Sequence, residues 1–380
     1  MKIAIVAASL HGGGTEYVTR TWIEQLGRHG HTVTFIGFDE PGQRRMGHVQ
    51  RVQRVRSAVI GQQFDAVLAM ATYPALVTLT ALKLLPGVDT KVLISERNMP
   101  SILLRKQGPA QRLQLRLAQR IYRLADAAIA VSHPVGSDLV SSFDLAPEKI
   151  YVVPNPLAKV SQSRPRRRAT GPDITLVLPS RLVPQKRPLI AVDVARELNR
   201  RGRPTRIIAF GRGELGPELA RAAESAGVSV DLRGWEEQWF DYVPAESVVL
   251  LPSFCEGFPN VVLEAAAVGL PSVAISNALG VGDAVIPGVT GELALWAESG
   301  ELADAVARAA ELDVRVDGWL RRFSPENSVR VLESAFLAVI GDRGPDPDAL
   351  ATSPTPEGAT PVALPLESRD RMGAPLDHSK

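Results

Sequence analysis

Two carboxylates, Glu256 and Glu264, bracket the run Glu256-Gly257-Phe258-Pro259-Asn260-Val261-Val262-Leu263-Glu264. The apolar segment 247–251 before it reads as a buried strand. That strand ends at Pro252-Ser253, passes through a Gly/Pro loop and enters a helix near Pro259 or Asn260. The first N–H groups of a helix lack internal partners and its dipole attracts negative charge, so strand, loop and helix start together make an anion site. Carboxylates repel phosphate, yet they accept hydrogen bonds from sugar hydroxyls beside one. The pattern therefore points to a nucleotide sugar. Ser180-Arg181-Leu182-Val183-Pro184-Gln185-Lys186-Arg187 follows another apolar strand and should emerge at the same sheet edge. Alone, Arg181 and Lys186 would be a solvated basic loop. Beside two glutamates they supply the charges a diphosphate needs, most of all when it departs.

Three further loops leave strands at the same edge. Gly211-Arg212-Gly213-Glu214-Leu215-Gly216 is a literal G-x-G-x-x-G, with Asp231 near the distance of a ribose partner, so a nicotinamide or flavin enzyme is the rival reading. It sits, however, in the second strand–helix unit of its half, and the glycines can also serve a tight turn before Pro217 or the wall of a nucleotide pocket. His11-Gly12-Gly13-Gly14-Thr15-Glu16-Tyr17 closes the first strand; its glycines allow close approach by another molecule and its helix start favours phosphate. Ser95-Glu96-Arg97-Asn98 follows a third strand, where Glu96, Arg97 and Asn98 either contact an acceptor or the transferred sugar, or only cap a loop. His133 stands at the cleft edge or in a plain turn. Cys255 is the single cysteine and reads as a small buried thiol rather than a nucleophile. Asp346-x-Asp348 is the only Asp-x-Asp and lies in the tail, and no Cys/His cluster has metal spacing, so no metal is expected.

The elements that must hold these loops alternate apolar strands with amphipathic helices, as in parallel sheets covered on both faces. Strands are expected at 2–8, 32–37, 65–70, 91–95, 127–131 and 150–153, then at 174–179, 205–210, 228–232, 247–251 and 271–275, with helices at 14–29, 74–85 and 109–124. The 380 residues divide into a first domain at 1–155, a polar linker at 156–172 and a second domain at 173–322. A helix at 323–340 could cross back to the first domain, and the proline-rich segment 341–380 is expected to be disordered. Forty-three basic against 41 acidic residues give a net charge of +2, so the overall charge does not argue for a nucleic-acid partner and none is expected. Arg112, Arg116, Arg120 and Arg123, with Arg105 and Lys106, form a basic stripe over 105–123, and Leu113, Leu117, Ile121 and Leu124 line another face. Such a helix is either a solvated face packing by its leucines or a contact for an anionic membrane surface or polyanionic acceptor. No apolar run is long enough to span a bilayer, so a cytoplasmic protein is expected, or one held peripherally at the inner face of the plasma membrane.

Taken together, Pro179-Ser180-Arg181-Leu182-Val183-Pro184-Gln185-Lys186, Gly211-Arg212-Gly213, Gly234-Trp235, the run from Leu251 to Ala265, Gly269-Leu270-Pro271 and Gly288-Val289-Thr290-Gly291 resemble a retaining GT-B glycosyltransferase of family 4 over residues 1–340. The resemblance implies two Rossmann-like, doubly wound domains facing each other across a cleft. It places Arg181 and Lys186 on the donor pyrophosphate and Glu256 on hydroxyls of the donor sugar, and names these three as catalytic. Gly211, Gly213, Gly257, Phe258 and Pro259 would line the donor site, the amides of Asn260 and Val261 would meet phosphate, and Glu264 would hold the ribose. The backbone near Trp235 would meet the base. Gly13 and Gly14 would approach the donor phosphate from the first domain, with Thr15 on the acceptor or sugar side. The implied reaction moves a sugar from a nucleoside diphosphate sugar, UDP favoured over GDP, to a hydroxyl of a glycan or lipid-linked acceptor, with no cofactor. A sugar-nucleotide epimerase of the same fold and a non-catalytic sugar-nucleotide-binding protein are the alternatives. Many relatives carry a histidine near the transferred sugar, whereas this chain offers Glu96-Arg97-Asn98 there.

Overall fold

The computed structural model describes residues 1–11, 13–38, 46–157 and 171–341. In the first half the strands β1 (Lys2–Ala7), β2 (Thr32–Gly37), β3 (Ala66–Met70), β4 (Lys91–Glu96), β5 (Ala127–Ala130) and β6 (Ile150–Val152) alternate with helices α1 (Gly14–Arg28), α2 (His48–Val59), α3 (Thr72–Leu79), α4 (Pro100–Leu103), α5 (Pro109–Ile121) and α6 (His133–Phe143). The second holds β7 (Ile174–Pro179), β8 (Thr205–Phe210), β9 (Val230–Gly234), β10 (Ser247–Leu251), β11 (Ser272–Ile275) and β12 (Gly291–Ala294) with α7 (Ile190–Arg200), α8 (Gly216–Ser225), α9 (Asn260–Ala267), α10 (Ser299–Ala310), α11 (Asp317–Leu320) and α12 (Pro325–Ile340). All pairings are parallel. Ile5 lies between Phe35 and Leu68, and Val249 between Val177 and Ser272. The central strands are unbroken apolar runs because they are buried on both faces.

Each sheet has six strands, in the orders β2-β1-β3-β4-β5-β6 and β12-β11-β10-β7-β8-β9. Strand order reverses between β1 and β3 and between β7 and β10, which opens a crevice at the carboxyl ends of each pair. One face of the first sheet packs on Val55, Leu79, Leu115 and Tyr122, and that apolar cluster continues into Phe258, Val262 and Phe323 of the second half. Trp22 and Leu26 of α1 cover the opposite face together with Val329, Leu332 and Phe336 of α12. The last described helix thus completes the core of the first half. Its start is fixed by Ser324, whose hydroxyl accepts from Asn327 N at 3.1 Å, with Pro325 as its first residue. Trp22 Nε1 donates to Ser328 Oγ (2.9 Å), which donates to the Pro154 carbonyl (2.6 Å). His29 and His31 both reach Glu333.

The structure departs from the sequence reading in several places. β12 was not expected; Gly291-Glu292-Leu293-Ala294 is short, carries a glutamate and lies at the sheet edge. β9 starts two residues later than 228, because Gly227 is left-handed (φ +66°) and Val228 still belongs to the turn. α5 does not pack by the leucines expected: Leu115 and Ala118 are buried, whereas Leu113 and Leu117 are 56% and 42% exposed beside the arginines. Most of the linker expected at 156–172 and nearly all of the tail expected at 341–380, Asp346 and Asp348 included, lie outside the described residues.

The two halves touch through backbone. A methyl on Gly257 would lie 2.4 Å from the Arg97 carbonyl oxygen and 2.6 Å from Asn98 Cα. Ser132 Oγ donates to the Gly257 carbonyl at 2.6 Å, and Leu157 N donates to the Phe323 carbonyl at 2.6 Å. Gly257→Ala is therefore expected to cost about 1–3 kcal/mol through overpacking, read as a lower urea midpoint. An unchanged midpoint would show that the halves part freely at this contact.

Candidate active site

Arg187 ties the two loops at the β7–β10 crevice together. It adopts a left-handed conformation (φ +46°), from which Nε donates to the Pro252 carbonyl at 2.7 Å and Nη2 to the Ser253 carbonyl at 3.1 Å. Gln185 adds a bond from Nε2 to the Cys255 carbonyl (2.8 Å), and its own carbonyl accepts from Phe254 N (3.1 Å). So clamped, Lys186 Nζ meets Glu256 Oε1 at 2.5 Å, with Glu256 only 5% exposed. A paired, buried carboxylate and ammonium hold each other in place while each keeps spare hydrogen-bonding capacity. Arg181 is exposed at the mouth of the same loop. α9 begins just beyond Glu256, with Pro259 as the residue before it, so the amides of Asn260 and Val261 are its leading N–H groups. Phe258 is a packing residue, its ring 5.5 Å from that of Phe323.

The glycine loop after β8 has a packing cause. A methyl on Gly211 would sit 2.2 Å from the Ser180 carbonyl oxygen, and one on Gly213 2.1 Å from that of Leu182. The loop is hydrogen-bonded there, Leu182 N to Arg212 O (3.1 Å) and Leu215 N to Leu182 O (2.9 Å). Asp231, the ribose partner of the rival dinucleotide reading, is paired instead with Arg233 Nε at 2.7 Å on the edge strand β9.

Glu264 lies one helical turn into α9, half-buried, and burial pushes its carboxyl up to about 7. Trp239 Nε1 donates to Glu264 Oε2 at 2.7 Å, and its ring packs against Phe210 and Phe240. Tyr17 of α1 has Glu264 and Glu237 among its electrostatic neighbours, which brings the first half to this spot. Trp235, whose neighbouring backbone is expected near the base, has a 59% exposed indole, and a second indole, Trp239, bonds Glu264. No spacing marks Trp239 in the sequence.

From the first half, Gly13 precedes α1, and the Cβ position of Gly14 is 3.5 Å from Asn260 Nδ2. Asn155 Nδ2 donates to Asn260 Oδ1 (2.5 Å). The start of α1 therefore faces the start of α9. Thr15 sits in that first turn, its carbonyl accepting from Thr19 Oγ1 (2.8 Å). Asn98 Oδ1 accepts from Cys255 Sγ at 3.4 Å, and burial raises that thiol to about 11, which leaves it a structural residue. His133 stands at the start of α6 with Nδ1 2.9 Å from Asp283 Oδ2, so it joins the halves rather than occupying a plain turn. Glu96, read as contacting an acceptor or the transferred sugar or else capping a loop, points into the core instead. It is buried, accepts from Tyr122 and Thr72 under α5, and burial raises it to about 7. Arg97 turns to the opposite face, its guanidinium 5.0 Å from the Trp22 ring.

Glu264 binds its proton more tightly folded (about 7) than at its ordinary 4.5. Its contribution to stability is complete below about pH 4.5 and is lost as pH rises through 7. Glu264→Gln should therefore gain on the wild type progressively over that window in urea denaturation. Parallel pH profiles would show an ordinary carboxylate.

Residues 12–158 match the family described as Glycosyltransferase Family 4, and residues 173–311 match Glycosyl transferases group 1. Over 301 residues the chain is 28% identical to an exopolysaccharide phosphotransferase of Streptomyces coelicolor, covering 76% of this chain and 30% of that protein. It is 30% identical over 250 residues to the D-inositol 3-phosphate glycosyltransferase of Rhodococcus erythropolis, 58% of this chain and 56% of that one. The chain thus spans less than two thirds of either relative. Among solved structures, the lipopolysaccharide outer core galactosyltransferase WaaB superposes with a TM-score of 0.68 at 20% identity, over 89% of this chain and 99% of that one. With two six-stranded parallel sheets in these orders and family matches in both halves, the chain belongs to the GT-B glycosyltransferases.

Proposed function

We propose that the chain transfers a sugar, with retention of configuration, from a nucleoside diphosphate sugar to a hydroxyl of a glycan or lipid-linked acceptor, with UDP favoured over GDP. The observation that carries this reading is the Lys186–Glu256 pair, held beside the start of α9 at the β7–β10 crevice. Glu256 has an oxygen to offer a donor hydroxyl, Lys186 and Arg181 face the diphosphate, and Glu264 grips the ribose. As the glycosidic bond breaks, positive charge grows at the anomeric carbon and negative charge on the diphosphate. Arg181, Lys186 and the leading amides of α9 meet the latter. The leaving phosphate oxygen takes the acceptor proton as the acceptor attacks the same face. These cations stand where a metal would otherwise act, and no cofactor takes part. Among the described residues no group of three or more His, Cys, Asp or Glu side chains is placed to hold a metal ion.

Lys186→Ala and Glu256→Gln are expected to lower turnover roughly 10²–10³-fold, and Lys186→Ala also to melt clearly lower, because it leaves the buried Glu256 carboxylate unpaired, whereas Glu256→Gln removes that charge. The assay uses a panel of nucleoside diphosphate sugars with and without acceptor, in the presence of a chelator. Turnover without acceptor would favour an epimerase, and donor binding without any turnover a non-catalytic protein.

The exposed face of α5 supports a second element of the proposal, attachment to an anionic membrane surface. Arg112, Arg116 and Arg120 alternate there with exposed Leu113 and Leu117. Among the described residues no helix is long and apolar enough to cross a membrane, so contact would be peripheral. Replacing the three arginines by alanine should weaken flotation with phosphatidylglycerol vesicles about 100-fold, at about 1 kcal/mol per basic residue. Equal flotation would remove the membrane from the proposal.

A further inference from the structure

Arg97 carries a guanidinium fork that no carboxylate or carbonyl among the described residues receives. Its Nη1 and Nη2 atoms are buried and have no hydrogen-bond partner among the described residues. Its sequence neighbour cannot serve, because the Glu96 carboxylate is committed to Tyr122 and Thr72 on the other face of the sheet. Burial lowers the guanidinium to about 9 even though the Glu96 charge acts in the opposite direction. What the protein does supply is a rigid seat. The Trp22 ring lies 5.0 Å beneath the guanidinium and is itself fixed through Ser328 to the Pro154 carbonyl. The next residue, Asn155, has a buried Oδ1 without a partner, while its Nδ2 reaches Asn260 at the start of α9. The Arg97 backbone lies against Gly257, so this seat stands where the two halves meet.

A guanidinium fork withdrawn from water is strongly unfavourable until an anion completes it, and its planar geometry fits an oxyanion bidentately. We propose that Arg97 receives an oxyanion, phosphate or carboxylate, carried by the acceptor or by the transferred sugar, at a subsite separate from the donor diphosphate. The unpartnered Oδ1 of Asn155 takes a hydroxyl of the same ligand. The subsite deepens the function proposed above and rests on it only in assigning Arg181 and Lys186 to the diphosphate.

The test uses the full chain and Arg97→Met, which keeps an unbranched stem over Trp22. Without added anion the variant should melt at or above the wild-type temperature, because a buried uncompensated charge is gone. A clearly lower melting point would make Arg97 a structural residue and overturn the proposal. Calorimetric titration of the nucleoside diphosphate-saturated protein with orthophosphate should show binding to the wild type and roughly 30-fold weaker binding to the variant. No binding to the wild type, or equal binding to both (an adventitious ion only), would also overturn it. If the wild type takes up no nucleoside diphosphate, the proposed function fails. The same titration in a Lys186→Ala background still reads Arg97. Comparing nucleoside diphosphate hexose with the corresponding hexuronate locates the source. A loss in Arg97→Met confined to the hexuronate assigns the anion to the sugar, and equal donor affinity with lost phosphate binding assigns it to the acceptor.

Discussion

The reversal of strand order between β7 and β10 leaves two loops side by side with no strand hydrogen bonds to join them. Arg187, donating to two carbonyls of the opposite loop from a left-handed backbone, and Gln185, bonded to Phe254 and Cys255, supply the missing connection. The Lys186–Glu256 pair, which spans the same two loops, lies beside that join. A cation placed to face a diphosphate is effective only if it does not reorganise when charge develops. Two backbone carbonyls fix the loop more firmly than a surface ion pair could.

The first half contributes by close approach. Its loops reach the second half where that half has glycine at 257, and its helix α1 points its start at the start of α9. Two helix ends directed at one region sum their partial positive charges, and Arg97 adds a full one. These positive ends stand beside the carboxylates of Glu256 and Glu264, in a chain that is nearly neutral as a whole. Glu96 and Glu264, both raised by burial, are the acids that the surroundings partly neutralise.

Much of this was legible in the sequence because parallel strands buried on both faces read as unbroken apolar runs, and because glycines mark loops that something must approach. The Glu256–Glu264 run, Arg181 and Lys186 came from residue types at a strand end, and the structure places Lys186 on Glu256. Their catalytic and binding roles remain part of the proposal. What the sequence did not disclose are directions and partners. Glu96 and Arg97 are neighbours, yet alternation along β4 sends one beneath α5 and the other beneath α1. Trp239 reaches Glu264 only because the turn after β9 folds back onto α9, which no local pattern records. The apolar face of α5 was misjudged because its leucines and arginines share a near-helical period, so composition alone could not decide which row faced the core.

The place of α12 carries a consequence for biosynthesis. Trp22 and Leu26 emerge early from the ribosome, yet Val329, Leu332 and Phe336, which cover them, follow some 306 residues later. At about 5–20 residues per second that interval is roughly 15–60 s. During it one face of the first sheet is covered by α1 without α12, and the indole N–H of Trp22 waits for Ser328. The amino-terminal half therefore behaves as a nascent chain with an unfinished core until its carboxyl-terminal helix arrives. Ribosomal pausing or premature termination after α10 would release a molecule whose second half is nearly complete and whose first half is exposed to chaperones.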